Sequence, residues 1–374
     1  MDIELSAPGQ IVPPVDRGIA AAQKMERTGY DGVWWNDHLM GWTPDSLWSE
    51  EFTPIAAVQE SAHVNVEPFS MIAAAGMVTE RIRFGTCVTD ILRRHPATVA
   101  QKILTLDHLT KGRTILGLGS GEQLNIEPYG MPWSAPVGKL AEGLEVLRLL
   151  MNAGSSTVDF DGKYFPLRDA VMGLDPYGDR APEIWLAAHG PRMLGLTAEY
   201  ADGWLPTKMS TSEYSSSLET IRATARDKGR DAEGFTPGML AYVILGPDEQ
   251  TVERLLESAL LRMLCVLLPN KVFESLGVPP PLGGDSGGSG FHDFIPSRVS
   301  RAESERIVAA IPPRVVRHYA FAGTVEQVAE QITEYHQAGL RHLVLWNITG
   351  LGDPSLTKFS FQAMDDLMRE LKRA

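Results

Sequence analysis

Two short polar strings follow apolar runs that are typical of buried strands, and both contain side chains that exchange protons. Asp37 and His38 close the first string, and Glu122 closes the second, which begins Ser120-Gly121. Histidine exchanges its proton near neutral pH, and a neighbouring carboxylate can raise its pKa or fix its ring. The strings predict an acid–base site in which Asp37 orients His38 and Glu122 is a second acid. The alternative is that these residues only cap the elements beside them.

A third apolar run ends at His189 and Gly190, immediately before a helical pattern. The free N–H groups of a helix start favour anions, so this point predicts a seat for a phosphate. Basic residues follow other predicted strands, at Arg93, Arg94 and Lys208. They could hold an anionic ligand, or they could form an ordinary solvated loop.

Other strings carry weaker signals. Three glycines between 117 and 121 allow close approach of the backbone to a ligand, but their spacing is not that of a dinucleotide fingerprint. The string 284–288 matches a serine nucleophile motif, yet it lies in a Gly/Pro/Ser loop rather than between a strand and a helix. The histidines and cysteines form no zinc motif, so no metal site is predicted.

Eight apolar runs alternate with amphipathic segments, and most of the runs are continuous, as in strands buried on both faces. This pattern predicts a (β/α)8 barrel. The alternative is a doubly wound sheet, which usually has a glycine fingerprint after its first strand, and none is present here. The predicted strands are Asp2–Leu5, Gly32–Asn36, Ile82–Val88, Thr114–Leu118, Ile184–Ala188, Gly203–Thr207, Leu240–Leu245 and His342–Asn347.

Two stretches interrupt the alternation, at about 43–65 and 279–300. Long irregular insertions in compact domains are often lids or binding loops. In a barrel they would follow strands two and seven and rise at the C-terminal face, where the active sites of such barrels lie. No internal repeat and no clear boundary divides the sequence, which predicts one domain, 1–374, with insertions.

Composition narrows the class of protein. The 374 residues include 34 basic and 47 acidic side chains, a formal charge of -13. Such a charge repels nucleic acid and anionic membrane surfaces, so neither is an expected partner. Cys87 and Cys265 cannot form a disulfide framework, and the sequence has neither a signal-like start nor an apolar run long enough to span a membrane. We expect a cytoplasmic protein.

From about residue 18 to 355, the chain resembles the luciferase-like flavin and deazaflavin oxidoreductase superfamily, particularly the branch that uses coenzyme F420. Within that branch it resembles F420-dependent glucose-6-phosphate dehydrogenases and, more closely, mycobacterial phthiodiolone dimycocerosate ketoreductases. The resemblance implies a bacterial-luciferase-like barrel, a homodimer, and hydride transfer between C5 of F420 and a carbonyl or alcohol substrate. The strings that carry it are 36–38, 65–68, 85–89, 119–122, 127–130 and 187–194.

The same resemblance assigns roles residue by residue. It implies that His38, Glu122 and Trp42 are catalytic, and that a non-proline cis peptide joins Cys87 to Val88. The positions that it places around the deazaflavin or its phosphate tail are Asp37, Cys87, Val88, Thr89, Asn125, Ala188, His189, Gly190 and Pro191.

Alternatives remain open. The resembling dehydrogenases hold their sugar phosphate with three cationic side chains. In this sequence, only Lys208 falls near one of those three positions. An FMN-dependent monooxygenase of the same superfamily would share the barrel mouth, and a barrel that stores F420 without turnover would need no proton donors. Among carbonyl substrates, a large lipidic ketone is one candidate, which the closer resemblance to the ketoreductases implies and which apolar residues such as Trp48, Phe52 and Phe69 would suit.

Overall fold

The computed structural model describes residues 1–373, and its centre is a closed parallel barrel. The strands are β1 Glu4–Pro8, β2 Gly32–Trp35, β3 Arg83–Thr86, β4 Thr114–Leu118, β5 Val158–Phe160, β6 Leu167–Ala170, β7 Glu183–Leu186, β8 Gly203–Trp204, β9 Thr236–Leu245, β10 Ala320–Gly323 and β11 His342–Asn347. Eight of them pair in the order β1-β2-β3-β4-β7-β8-β9-β11, and β11 pairs with β1 to close the ring. The (β/α)8 prediction is confirmed, and closure excludes the doubly wound sheet.

Strand β9 is long enough to pair with three neighbours. Its start pairs with β8, its middle with β11, and its last four residues with β10. The sequence pattern missed β10, because four residues between two helices give too short an apolar run. Each of the eight predicted strands overlaps a strand of the barrel. Strands β5 and β6 form a separate antiparallel hairpin outside the barrel.

Helices surround the barrel, and α3, Pro96–Thr110, shows why they form where they do. His95 accepts a hydrogen bond from the Ala97 N–H at its start, and Lys111 ends it in a left-handed conformation, with φ of 57°. Val99 and Ile103, one turn apart, are buried against the barrel. The helices are α1 Val15–Thr28, α2 Pro68–Gly76, α3 Pro96–Thr110, α4 Pro136–Asn152, α5 Pro191–Tyr200, α6 Thr211–Asp227, α7 Glu249–Leu256, α8 Ala259–Leu264, α9 Asn270–Ser275, α10 Gly290–Asp293, α11 Arg301–Ala310, α12 Pro313–Tyr319, α13 Val325–Gln337, α14 Thr349–Gly352 and α15 Thr357–Arg373.

Aromatic rings fill the barrel interior. The ring of Trp185 lies 5.3 Å from that of Trp34 and 4.8 Å from that of His342. A Cβ atom at Gly85 would come within 2.2 Å of the Trp34 ring, so only glycine leaves room for this packing. The filled interior places any ligand cavity at the mouth of the barrel rather than along its axis.

The two insertions meet above this mouth. Segment 43–65 follows β2 and contains a single 3-10 turn, while α8 to α12 lie between α7 and β10. The second insertion therefore contains more residues than the predicted 279–300. Ser46 of the first insertion donates to the carbonyl of Val299 in the second at 3.0 Å, and Arg301 pairs with Glu51 at 3.0 Å. Buried apolar residues of both, such as Leu47 and Phe294, share one cluster.

A membrane-crossing helix is not found in residues 1–373, because no helix there combines enough length with enough apolarity. The same residues contain no group of three or more His, Cys, Asp or Glu side chains able to hold a metal ion.

Candidate active site

A cavity of about 470 Å³ opens at the C-terminal mouth of the barrel. Its volume lies in the range of small-molecule and cofactor sites, and its position is that of the active sites of such barrels. Ten of the twelve residues singled out in the sequence line it: Asp37, His38, Trp42, Cys87, Val88, Thr89, Glu122, Asn125, His189 and Gly190.

Asp37 is the centre of a buried ionic network after β2. It is 4% exposed, and its Oδ2 accepts from Thr89 Oγ1 at 2.6 Å and from Arg94 Nη1 at 2.6 Å, and lies 3.0 Å from Arg93 Nη2. Arg93 in turn donates from Nε to Asp90 at 2.6 Å. Burial alone would raise the pKa of Asp37, but the two guanidinium groups outweigh it and hold that pKa below its usual range.

This network corrects one sequence prediction. Asp37 does not orient the ring of His38, because its oxygens bond to Thr89 and to the two arginines instead. Arg93 and Arg94 are correspondingly committed to Asp37, so the basic triplet after β3 is no free anion site. Local adjacency in sequence suggested the wrong partner, because the arginines reach Asp37 from the next strand.

His38 pairs with Glu122 across the mouth. Its Nδ1 lies 3.1 Å from the carbonyl oxygen of Met40, and its Nε2 lies 3.3 Å from Oε2 of Glu122. A carbonyl only accepts, so Nδ1 carries a hydrogen. Nε2 then faces the Glu122 carboxyl, so the two side chains lie within reach of a shared proton.

Asn125 ties the two loops that carry this pair. Its Oδ1 accepts from the backbone N–H groups of Leu39 and Met40, at 2.8 and 3.0 Å, and its Nδ2 donates to Glu122 at 3.0 Å. The side chain is buried, and both ends of its amide are engaged within the protein. Asn125 therefore fixes the separation of His38 and Glu122, a role that the sequence did not indicate.

The segment after β3 approaches β4 closely. The peptide bond between Cys87 and Val88 is cis, as the resemblance implies. A Cβ atom at Gly119 would lie 2.8 Å from a methyl group of Val88, so the glycine allows this contact and leaves its peptide facing the cavity. Burial raises the pKa of the Cys87 thiol, so it stays protonated.

His189 contributes a neutral ring at the end of β7. Its Nε2 lies 3.2 Å from the Thr207 N–H, which donates to it, so Nε2 is the acceptor and Nδ1 carries the hydrogen. Burial and the charge of Lys271 lower the pKa of His189 to about 4. Within residues 1–373, Nδ1 has no partner, which leaves one N–H donor beside the cavity and the first turn of α5.

Two predicted residues lie outside the cavity lining. The carbonyl of Ala188 accepts from the Trp204 indole at 2.8 Å, and Pro191 begins α5 on the exposed surface. Lys208 donates to the carbonyl of His318 at 2.6 Å, and burial lowers its pKa to about 8. It is therefore not a free cation for a sugar phosphate.

The far side of the cavity was not anticipated. Leu240 and Tyr242 of β9 face it, with Tyr319 from the end of α12 and Trp346 from β11. The rings of Tyr242 and Tyr319 lie 5.2 Å apart edge to face. The alternation of Leu240 and Tyr242 in the sequence could have indicated a cavity-facing row, but nothing local marks Tyr319. Lys271 and the glycine-rich segment 286–289 complete this side.

Comparison with known proteins agrees with this architecture. The sequence profile described as luciferase-like monooxygenase matches residues 2–342. The phthiodiolone/phenolphthiodiolone dimycocerosates ketoreductase of Mycobacterium tuberculosis is 39% identical over 348 residues, which cover 92% of this chain and 90% of that protein. Its counterpart in Mycobacterium kansasii is 39% identical over 335 residues, covering 88% and 90%.

A solved structure of similar fold is an F420-dependent secondary alcohol dehydrogenase in complex with an F420-acetone adduct. Its TM-score is 0.75 at 21% identity, with 99% of each chain covered. At that identity the likeness supports the fold alone. The profile match spans most of the chain, and the ketoreductases are similar over nine-tenths of it. The chain belongs to the luciferase-like monooxygenase family.

Proposed function

We propose that this protein is an F420-dependent oxidoreductase that interconverts a ketone and a secondary alcohol. The observation that carries the proposal is the approach of His38 Nε2 to within 3.3 Å of Glu122 Oε2 at the cavity wall. A carbonyl that receives a hydride also needs a proton donor, and this pair supplies one. The 39% identical relatives, named as ketoreductases, support the reaction class, and the similar alcohol dehydrogenase structure is named for F420.

The residues present fit a deazaflavin with a phosphate-bearing tail. The uncovered peptide of Gly119 and the apolar Val88 offer a surface for a flat ring. Gly190 and the start of α5, with the N–H of His189, offer donors for an anionic group, and a Cβ at Gly190 would enter open space. We assign these residues, with Asp37, Cys87, Thr89 and Asn125 behind them, to the cofactor side of the cavity.

The residues around the cavity then have defined roles in the reaction. When bound, the deazaflavin supplies the hydride at its C5. His38 donates its Nε2 proton to the oxygen of the carbonyl as that oxygen gains charge, and Glu122 restores the proton. Met40 and Asn125 keep the ring and carboxyl aligned. Trp42 closes the wall beside His38 and excludes water.

The substrate side favours an apolar ketone over a sugar phosphate. Leu240, Tyr242, Tyr319 and Trp346 form this side, and burial raises the pKa of both phenols, so neither tyrosine is charged. Lys208 is engaged elsewhere, which leaves Lys271 at the rim as a cation without a partner within residues 1–373. One exposed lysine does not make a phosphate clamp.

The test is a parallel titration of the purified protein with F420 and with FMN, following tryptophan fluorescence. Trp42 and Trp346 line the cavity and should report binding. Saturable quenching by F420, followed by oxidation of reduced F420 when a ketone is added, is the expected result. Quenching by FMN alone, with oxygen consumption, would replace the proposal by the monooxygenase alternative. F420 binding with no turnover of any carbonyl would instead favour a storage role.

We further propose that residues 1–374 form a single domain and that the protein is a homodimer, as the resemblance implies. Sedimentation velocity at several protein concentrations would test the oligomeric state. A single species at the mass of one 41.0 kDa chain would contradict it.

A further inference from the structure

A second cavity of about 580 Å³ lies outside the barrel, larger than the first. It is enclosed by the segment after β1, helix α1, the insertion 43–65, helix α14 and helix α15. Its apolar wall residues include Ile11, Met25, Ile55, Leu260 and Met364. None of these residues belongs to the acid–base site.

The polar side chains on its wall are mostly engaged within the protein. Gln10 Nε2 donates to the carbonyl of Val12 at 2.7 Å, Trp48 Nε1 donates to the carbonyl of Gln59 at 2.8 Å, and Asn347 Nδ2 donates to Ser360 at 3.0 Å. Satisfied groups offer little to a polar ligand, because such a ligand would lose its own hydrogen bonds with water. Away from the end formed by α1 and α15, the cavity therefore suits a hydrocarbon.

The opening of this cavity to solvent lies between α1 and α15. Lys24 and Thr28 of α1 are exposed there, and Phe361 of α15 is 60% exposed. Charged and exposed groups thus mark one end, while the wall toward the barrel is apolar. That is the polarity expected of a channel for a long chain.

The two cavities share a wall of two indoles. Trp42 and Trp346 line both of them. The Trp42 Nε1 is buried and has no hydrogen-bond partner among residues 1–373, so packing alone holds this ring. A side chain held only by packing can turn without breaking a polar contact.

We propose that the second cavity receives the alkyl chain of a substrate whose carbonyl lies at His38, with the chain passing between Trp42 and Trp346. The proposal rests on the proposed ketone reduction and adds a binding site for a linear hydrocarbon arm of the ketone. Apolar burial gives the chain its affinity, at about 0.8 kcal/mol or fourfold in kcat/KM for each methylene that enters.

The first test compares 2-butanone with 2-tridecanone as substrates of the F420-loaded enzyme. Ala21 lines the second cavity, whereas Ala20, its neighbour in α1, is exposed and does not. Ala21→Phe should lower kcat/KM for 2-tridecanone at least tenfold and leave that for 2-butanone unchanged, and Ala20→Phe should change neither. Equal kinetics of the two variants on both ketones would overturn the proposal.

A second readout needs no cofactor. N-phenyl-1-naphthylamine fluoresces in apolar sites, and 2-tridecanone should displace it from the cofactor-free protein. Ala21→Phe, and Ala62→Leu on the opposite wall, should each weaken displacement at least tenfold, so the test survives if one variant does not fold. If neither variant alters the displacement, the proposal that this cavity binds the alkyl chain is refuted. If these effects appear but no ketone is reduced, the proposed function fails and the hydrocarbon site stands.

Discussion

The two sides of the barrel mouth are built on different physical principles. On the β2–β4 side, Asp37, Arg93 and Glu122 are held by ion pairs and short hydrogen bonds. On the β9 side, Tyr242 and Tyr319 meet edge to face, and their phenols are neutral. The first side holds its acid–base groups in defined positions, and the second gives the cavity an apolar wall. The difference assigns chemistry to one side and substrate selection to the other.

The largest expected effect is a difference between the two sides in how much one substitution lowers the free energy of unfolding. Asp37→Ala leaves Arg93 and Arg94 without their shared carboxylate, and we expect a loss of about 3–5 kcal/mol in the free energy of unfolding. Tyr319→Phe, on the other side, removes a neutral hydroxyl and leaves no charge unpaired. It should cost less than about 1 kcal/mol. Urea unfolding measures both, and similar losses would contradict the contrast.

Acid should remove the contribution of Asp37. The pKa of its carboxyl in the folded protein lies below the unfolded value of about 3.9, so the unfolded chain takes up the proton first as pH falls. The stabilisation is complete above that value and is lost as pH falls toward the folded pKa. The difference in urea midpoint between the wild type and Asp37→Asn should therefore shrink below pH 4. A constant difference down to pH 2.5 would show that the charge is not its source.

The next effect is a difference between the two sides in how much one substitution lowers turnover. His38→Ala should lower turnover at least about 100-fold while F420 still binds, because the proton donor is lost and the cofactor cradle is not. Tyr242→Phe, across the same cavity, should stay within threefold of wild type. Leu39→Ala is the local control, since its side chain is exposed. Unchanged turnover in His38→Ala would end the assignment of this residue.

A substitution of Asn125 tests whether this residue positions the catalytic pair or contacts the cofactor. Removing its amide frees the loop of His38 from that of Glu122, so Asn125→Ala should lower kcat by about 10- to 100-fold. The dissociation constant of F420, from fluorescence titration, should be nearly unchanged. A large loss of F420 affinity with normal kcat would instead support the direct cofactor contact that the resemblance implies.

The last effect concerns His189, whose pKa in the folded protein is about 4. The unfolded histidine gains a proton below about pH 6.5, whereas the folded ring stays neutral down to about 4. Stability should therefore fall on acidification across this window, by at most about 1.4 kcal/mol per pH unit from this residue. His189→Gln should flatten the slope of the urea midpoint between pH 6.5 and 4.5. An unaltered slope would show that a group other than His189 takes up the proton on unfolding.

The sequence anticipated the β2–β4 side better than the β9 side, for a physical reason. Strands β4 and β11 coincide with their predicted bounds, since each is one apolar run with a sharp end. His38 and Glu122 sit at such ends, so periodicity alone placed them at one mouth. Tyr319 and Lys271 reach the cavity through α8 to α12, whose packing depends on contacts distant in sequence. The Asp37–Arg93 pair was missed for the same reason.

The most direct test of the central claim is the path of the hydride. Reduced F420 carrying two deuterium atoms at C5 would be incubated with the protein and 2-tridecanone, and the alcohol would be analysed by mass spectrometry. We predict one deuterium on the carbinol carbon, with wild type and Ala20→Phe alike and His38→Ala at least about 100-fold slower. Alcohol without deuterium, or no alcohol when F420 is bound, would contradict the proposed reaction.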